Sequence, residues 1–443
     1  MEKRDSILQI FKAGLKAAEP AAAMRRIMKR ENNRLLVRTD GVSTQSYDLD
    51  QYSSIMVFGC GKAAASMAQF SEELLGDRIA AGLVAVKYGY SGTGTLRKIH
   101  LIEGGHPWPD QMCVNATSET VKILGSARNT DLIIALLSGG GSSLWTLPAS
   151  GIQLEDLVSL SKLLLASGAD IREMNIVRKH FSRIKGGQAA VWACPAQVLA
   201  VVVSDVPGDS FHTIASGPFS PDASTFSDVS DILNKYSLTD RIPASVAEHL
   251  REGMLNGTGE TPKAGNSCFH NVLHVLAASN KSALEACRAE AEKMGYRTHL
   301  IQTPLTGEAK EASVRICTKI KELSQSESPV CIVAGGETTV SLGEKHGNGG
   351  RNQELALAAA LQLENEDRVT LLSCGTDGND GPTDAAGAVV NGRTAEMMRK
   401  QGIDPENHLL AHDSYAALEA AGCLVKTGPT NTNVMDIQIA LIS

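Results

Sequence analysis

Short unbroken apolar runs alternate along most of this chain with longer stretches in which apolar residues recur every three or four positions. The runs SSIMVFGCG, GLVAVKY, KIHLIEGG, DLIIALLSGGGSS and QVLAVVVSDV read as buried strands, because consecutive Val, Ile, Leu and Ala bounded by glycine leave no polar face. KAAASMAQFSEELLG, QMCVNATSETVKILGSA, LEDLVSLSKLLLAS and ADIREMNIVRKHFSRIKGG carry helical periodicity. From residue 54 onward strands and helices take turns. That order predicts an α/β fold with a parallel sheet, helices on both faces, and ligands outside the carboxyl ends of the strands.

A second alternating unit is expected from HNVLHVLAASNKSALEACRAEAEKMG onward, with strands NVLHVLAA, YRTHLIQ, PVCIVAGG, RVTLLSCG and VMDIQIALI. Between the two lies a polar, proline-containing zone, Pro218 to Gly265. At 443 residues the chain exceeds one ordinary core, so two domains are expected, 1–240 and 241–443, with the boundary inside 220–265. At the N-terminus, Ile7, Leu8, Phe11 and Leu15 make an amphipathic helix, and acidic Glu2, Asp5 and Glu19 argue against a transit peptide.

Composition narrows the function classes. A net charge of -7 gives no basic face for nucleic acid, and no apolar run approaches the roughly 20 residues that span a bilayer. Nine cysteines are scattered singly, without a C-x-x-C pair. They read as reduced thiols of a cytoplasmic protein, with no zinc site.

Glycine-rich turns follow several strand runs, and the candidate chemistry collects there. In FGCGKAAASMA, Gly59, Gly61 and Ala64 satisfy G-x-G-x-x-A between strand and helix, a Rossmann-like arrangement. The ribose-binding acid expected about 20 residues on is missing, since the next run ends at Lys87 and Tyr88. Lys62 stands at the helix entrance, where a cation opposes the helix dipole unless an anion is bound. In LLSGGGSSL, residues Ser138, Gly139, Gly140, Gly141, Ser142 and Ser143 form a candidate anion nest, although no Walker A motif is present. Asp205, at the tip of VVVSD, is a candidate Mg²⁺ ligand or proton acceptor, whereas Asp209 suits a helix cap. His106, in GGHPWPD, reads as part of a rigid turn.

Two more such turns lie near the C-terminus. Gly335, Gly336, Glu337 and Thr338 begin where the run CIVA ends, and a ligand-binding turn with N–H groups free for phosphate is expected there. Arg351 enters the helix NQELALAAA, and its planar fork suits a carboxylate or a phosphate. Asp377, Asp380 and Asp384 share TDGNDGPTD, which matches a calcium loop in composition but not in spacing. Turn chemistry alone accounts for any one of these aspartates. A cation and several carboxylates on strand-end turns are also what phosphoryl transfer requires.

Together FGCGKAAASMA, GGHPWPD, LSGGGSSL, SDVPGDSFHTIASGP, GGETTVSLGEKHGNGGRNQELALA, CGTDGNDGPTDAAG and GPTNTNVMD make the chain resemble the class II glycerate 2-kinases, the family with a MOFRL C-terminal domain. The resemblance covers nearly the whole chain. It implies ATP-dependent phosphorylation of D-glycerate at the 2-hydroxyl with Mg²⁺, an N-terminal Rossmann-like domain, a C-terminal MOFRL domain, and an active site in the cleft between them. It associates Lys62 and Arg351 with catalysis. Asp205 or Asp377 is then expected to accept the hydroxyl proton, and Asp205, Asp377 and Asp380 are the candidate metal ligands. Gly61, Ser138 to Ser143 and Gly335 to Thr338 are expected on the nucleotide. The implied partners are D-glycerate and ATP, with homo-oligomerisation left open. Two other readings remain at this point: an NAD(P)-dependent hydroxypyruvate or tartronate reductase, and a ligand-binding regulator without turnover.

Overall fold

The computed structural model describes residues 2–39, 43–92, 94–324 and 329–443. They divide into Ala23–Ala277 and a discontinuous unit made of the residues up to Ala22 with Ala278–Ser443.

In the first unit β1 (Met28–Glu31), β2 (Arg34–Arg38) and β3 (Thr44–Asp48) form a small antiparallel sheet. β4 (Ser54–Cys60), β5 (Ile79–Lys87), β6 (Ile99–Gly104), β7 (Asp131–Leu137), β8 (Gln197–Val203) and β9 (Val272–Ala278) form a larger one in the order β6-β5-β4-β7-β8-β9. The pairings from β6 through β8 are parallel. Every residue of β7 is buried, as is all of β4 and β8 but the first residue of each. Strands covered on both faces carry unbroken apolar runs, which is why they were legible in the sequence. Strand order reverses between β4 and β7, and at such a switch point the diverging loops open a crevice at the carboxyl ends. The helices Leu154–Ala166, Ile171–His180, Phe226–Lys235 and Ala244–Asn256 pack a separate core around Leu160, Val177, Phe181, Phe226, Val229 and Leu233.

In the second unit β10 (Arg297–Leu300), β11 (Leu305–Glu308), β12 (Val330–Thr339), β13 (Val369–Gly375), β14 (Gly387–Asn391), β15 (Leu424–Val425) and β16 (Asp436–Ile442) form one sheet. It is mixed. β10 and β11 run parallel to β12, while β16 lies antiparallel between β12 and β13, and β14 and β15 continue antiparallel. The helix Arg351–Gln362 is buried from Asn352 to Ala360, and the helix Glu2–Ala18 packs on the helix Asn280–Lys293.

Three expectations need correction. The division falls after Ala277, not at 240/241 or within 220–265, because NVLHVLAA pairs with β8 and completes the first sheet. The N-terminal helix belongs with the C-terminal segment, and the helical run that contains it stops at Ala18, restarts at Pro20 and gives way to β1 at Met28. Gly335 and Gly336 are not in a turn beyond a strand: β12 continues through them, bordered by β11 and β16. Among the described residues no helix is long and apolar enough to cross a membrane.

Candidate functional site

Three loops meet at the carboxyl ends of β4, β7 and β8. The N–H of Ser138 donates to Cys60 O at 3.0 Å, the N–H of Lys62 to Gly139 O at 2.9 Å, and the N–H of Ala63 to Ser138 Oγ at 3.1 Å. The FGCGK turn and the SGGGSS loop are therefore tied by hydrogen bonds. A β-carbon on Gly139 would lie 1.9 Å from Asp205 Oδ2. One on Gly140, where φ is +81°, would lie 3.0 Å from His106 Nε2 and 3.4 Å from Lys62 Cγ. Only glycine permits this crowding. The structure thus brings together Gly61, Lys62, Ser138 to Ser143 and Asp205, and adds His106. Burial, then Lys62 and Lys87, push the His106 imidazole down to about 4, so it is neutral at pH 7.

Behind the loop stands Lys185, only 5% exposed, whose ammonium donates to Ser142 O at 2.5 Å and to Trp145 O. Burial lowers its pKa to about 7. Ser142 Oγ lies 2.7 Å from Ser216 Oγ, which donates to Asn175 Oδ1 at 3.2 Å. Ala215 and Ser216 have φ of +51° and +61°, left-handed values that cost a non-glycine residue energy and persist where the surroundings hold them. A cavity of about 190 Å³ opens beside the loop, lined by His106, Trp108, Ser142, Ser143, Arg178 and Lys185 among others. Sequence reasoning passed over Arg178 and Lys185. The available signal was the basic run VRKHFSRIK at the end of a helix whose start is fixed by the capping box of Asp170 and Glu173.

The second unit arranges its charges differently. Arg351 Nε and Nη2 grip the carboxylate of Asp436 at 2.7 and 3.0 Å, and Nη1 reaches Glu337 Oε1 at 2.8 Å. Asp436 is fully buried at the start of β16. Burial pushes its carboxyl up and Arg351 pulls it back. For Arg351 burial works downward, but Asp436 and Glu337 outweigh it and hold the guanidinium above its ordinary value. Asp380 accepts from the N–H groups of Asn352 and Gln353 at 3.0 and 2.8 Å and from both their side-chain amides. Its carboxylate secures the entrance of the Arg351–Gln362 helix, and burial still raises it to about 6. Asp377 takes the N–H of Asn379 at 3.2 Å, while Asp384 takes the hydroxyl of Tyr415 at 2.8 Å and the ammonium of Lys426 at 3.0 Å. Thr338 Oγ1 is buried without a hydrogen-bond partner. Among the described residues no group of three or more His, Cys, Asp or Glu is placed to hold a metal ion.

Comparison with known proteins matches two family models along the chain, the first of which takes in residues 6–22 of the second unit as well as most of the first. The family model described as a domain of unknown function (DUF4147) matches residues 6–251, and that of the MOFRL family matches 330–436. A D-glycerate 2-kinase from Thermotoga maritima is 42% identical and covers 88% of this chain and 90% of its own. The crystal structure of glycerate kinase from the same organism superposes with a TM-score of 0.86 at 37% identity, covering 100% of both chains. A putative hydroxypyruvate reductase from Agrobacterium vitis is 40% identical over 87% of each chain.

Proposed function

The chain belongs to the glycerate 2-kinase family with a C-terminal MOFRL domain, and on that premise we propose that it transfers the γ-phosphoryl group of ATP to the 2-hydroxyl of D-glycerate, giving ADP and 2-phosphoglycerate. The observation that carries the reading is the convergence of Lys62, the Ser138–Ser143 loop and Asp205 at one end of one sheet. Phosphoryl transfer is catalysed mainly by positioning and charge neutralisation. In this reading the loop cradles phosphate oxygens, with Gly61 holding the neighbouring turn close. Lys62 neutralises charge on the transferring group. Asp205 takes the hydroxyl proton, and neutral His106 supplies a hydrogen bond without adding charge.

Arg351 has engaged three of its five N–H donors with Asp436 and Glu337, which leaves the others for a phosphate or carboxylate oxygen. Its role in turnover is that of a held, pre-oriented cation. Mg²⁺ is ordinarily bound through one or two carboxylates plus the phosphates of its nucleotide, so a preassembled cage is unnecessary. Asp377, whose carboxylate is engaged by the N–H of Asn379, offers such an oxygen; Asp380, saturated by backbone and amide donors, does not fit. When bound, the ion supplies charge neutralisation on the phosphates. Glu337 and Thr338 contribute polar groups from β12, whereas Gly335 and Gly336, buried within the sheet beside β16 and β11, offer the nucleotide no free backbone.

The relative named as a reductase favours a second reading, which the G-x-G-x-x-A turn also allows. β5 ends at Lys87, where an NAD site carries an acid. One assay decides between them. With ATP, Mg²⁺ and D-glycerate, ADP release is expected together with the ³¹P signal of 2-phosphoglycerate. Oxidation of NADH or NADPH by hydroxypyruvate, without ADP from D-glycerate, would overturn the kinase reading.

A further inference from the structure

Three consecutive basic residues end the helix Ile171–His180, and they are treated unequally. Lys179 pairs with Asp222 at 3.2 Å, and His180 pairs with Glu260 at 3.0 Å. Arg178 has one side-chain bond, from Nε to Ser161 Oγ at 3.4 Å, and among the described residues it makes no ion pair with a carboxylate. It is half-buried and lines the 190 Å³ cavity. None of the residues lining that cavity is acidic, and Ser142, Ser143, Thr146, Ser161 and Ser182 supply hydroxyls. Lys185 adds a second positive charge, but its ammonium is spent on the carbonyls of Ser142 and Trp145. A guanidinium withdrawn from water with no counter-ion is costly, and an arriving oxyanion relieves that cost. Burial already works against its charge.

We propose that the cavity between the SGGGSS loop and the Ile171–His180 helix is the subsite for the substrate's carboxylate, and that Arg178 is the residue that clamps it. The assignment rests on the hydroxy-acid kinase reading above and names a specificity-determining group for it. A planar fork matches a carboxylate through two parallel N–H···O bonds. The cavity favours a small acid over a nucleotide: its volume is modest, and Trp108, Leu157 and Leu160 make part of its wall apolar. The serine hydroxyls are suited to the substrate's own hydroxyl groups.

Arg178→Met keeps the length of the side chain and removes its charge. Expected is a rise of about 100-fold in KM for D-glycerate, the scale of a lost charge-assisted hydrogen-bond pair, with KM for ATP unchanged. The neutral amide of D-glycerate should compete poorly with the acid on the unaltered protein and about equally on the variant. A rise in KM for ATP alone would assign the cavity to phosphate, and unchanged constants for both would remove the subsite; either result overturns the proposal. A measurement on the unaltered protein covers a variant that fails to fold: D-glycerate, but not ATP, should shield Arg178 from an arginine-directed dicarbonyl, as read by mass spectrometry. Equal labelling with and without D-glycerate would count against the clamp. Absence of any ADP release by the unaltered protein would instead sink the kinase reading, and the labelling experiment would still report on the cavity.

Discussion

Around the Ser138–Ser143 loop, Lys185 and Arg178 are anchored by carbonyl and hydroxyl oxygens; around the GGRNQE turn, Arg351 is anchored by the carboxylates of Asp436 and Glu337. Both arrangements fix a cation in place, but only the second cancels its charge. Neutral acceptors position a cation and leave its field available to a ligand, whereas a bidentate carboxylate spends most of that field internally. The first region is accordingly built to receive an anion. The second joins β12, β16 and the Arg351–Gln362 helix through a buried ion pair.

The largest expected effect tests the receptive half of this contrast. Lys62→Ala should lower turnover by about 10³-fold or more, as loss of a transition-state cation does, while the thermal midpoint stays put. Near-normal turnover in that variant would remove the first region from the chemistry. Next comes the internally neutralised half. Arg351→Ala strands a buried Asp436 and should cost about 3 kcal/mol in urea denaturation, with much of the loss recovered when Asp436→Asn is added. Equal stability of the two variants would show that the pair is not what holds the strands.

The smallest effect is electrostatic. In a ¹³C-histidine titration His106 should protonate near pH 4, well below the ordinary 6.5, and Lys62→Met should raise the midpoint. The sign for stability follows from linkage: the folded-state pKa is depressed, so the unfolded chain binds the extra proton first. The contribution of His106 is complete above about pH 6.5 and is lost as pH falls toward 4. An unmoved midpoint in Lys62→Met would mean that Lys62 does not act on the ring.

Much of the receptive region was legible in the chain itself. β4 and β7 are apolar at nearly every position and each runs into a glycine-containing turn, so the two turns, Lys62 and the serine loop could be placed at strand ends by pattern alone. Asp205 was legible for the same reason, as the acid after β8. Arg178 and Lys185 were not, because periodicity states that a residue is helical without stating which cavity its side chain enters. By pattern CIVAGGETT ends as a strand at its glycines; tertiary pairing with β11 and β16 carries β12 through them. β14, in GAVVN, is too short to stand out from the glycine and aspartate around it. Asp380 had the composition of a metal loop and the geometry of a helix cap, and only the positions of the Asn352 and Gln353 N–H groups separate the two.

The helix Glu2–Ala18 rests on Asn280–Lys293, with the whole of Ala23–Ala277 intervening in the chain. A ribosome therefore releases the earliest piece of one folding unit, then all of the other, before the docking partner of that piece emerges. Until then Ile7, Ile10 and Phe11, which are shielded in the finished protein, must be tolerated in water or sheltered by a chaperone. A fragment cut to begin at Ala278 would lack that cover and is expected to aggregate unless the first helix is supplied in trans.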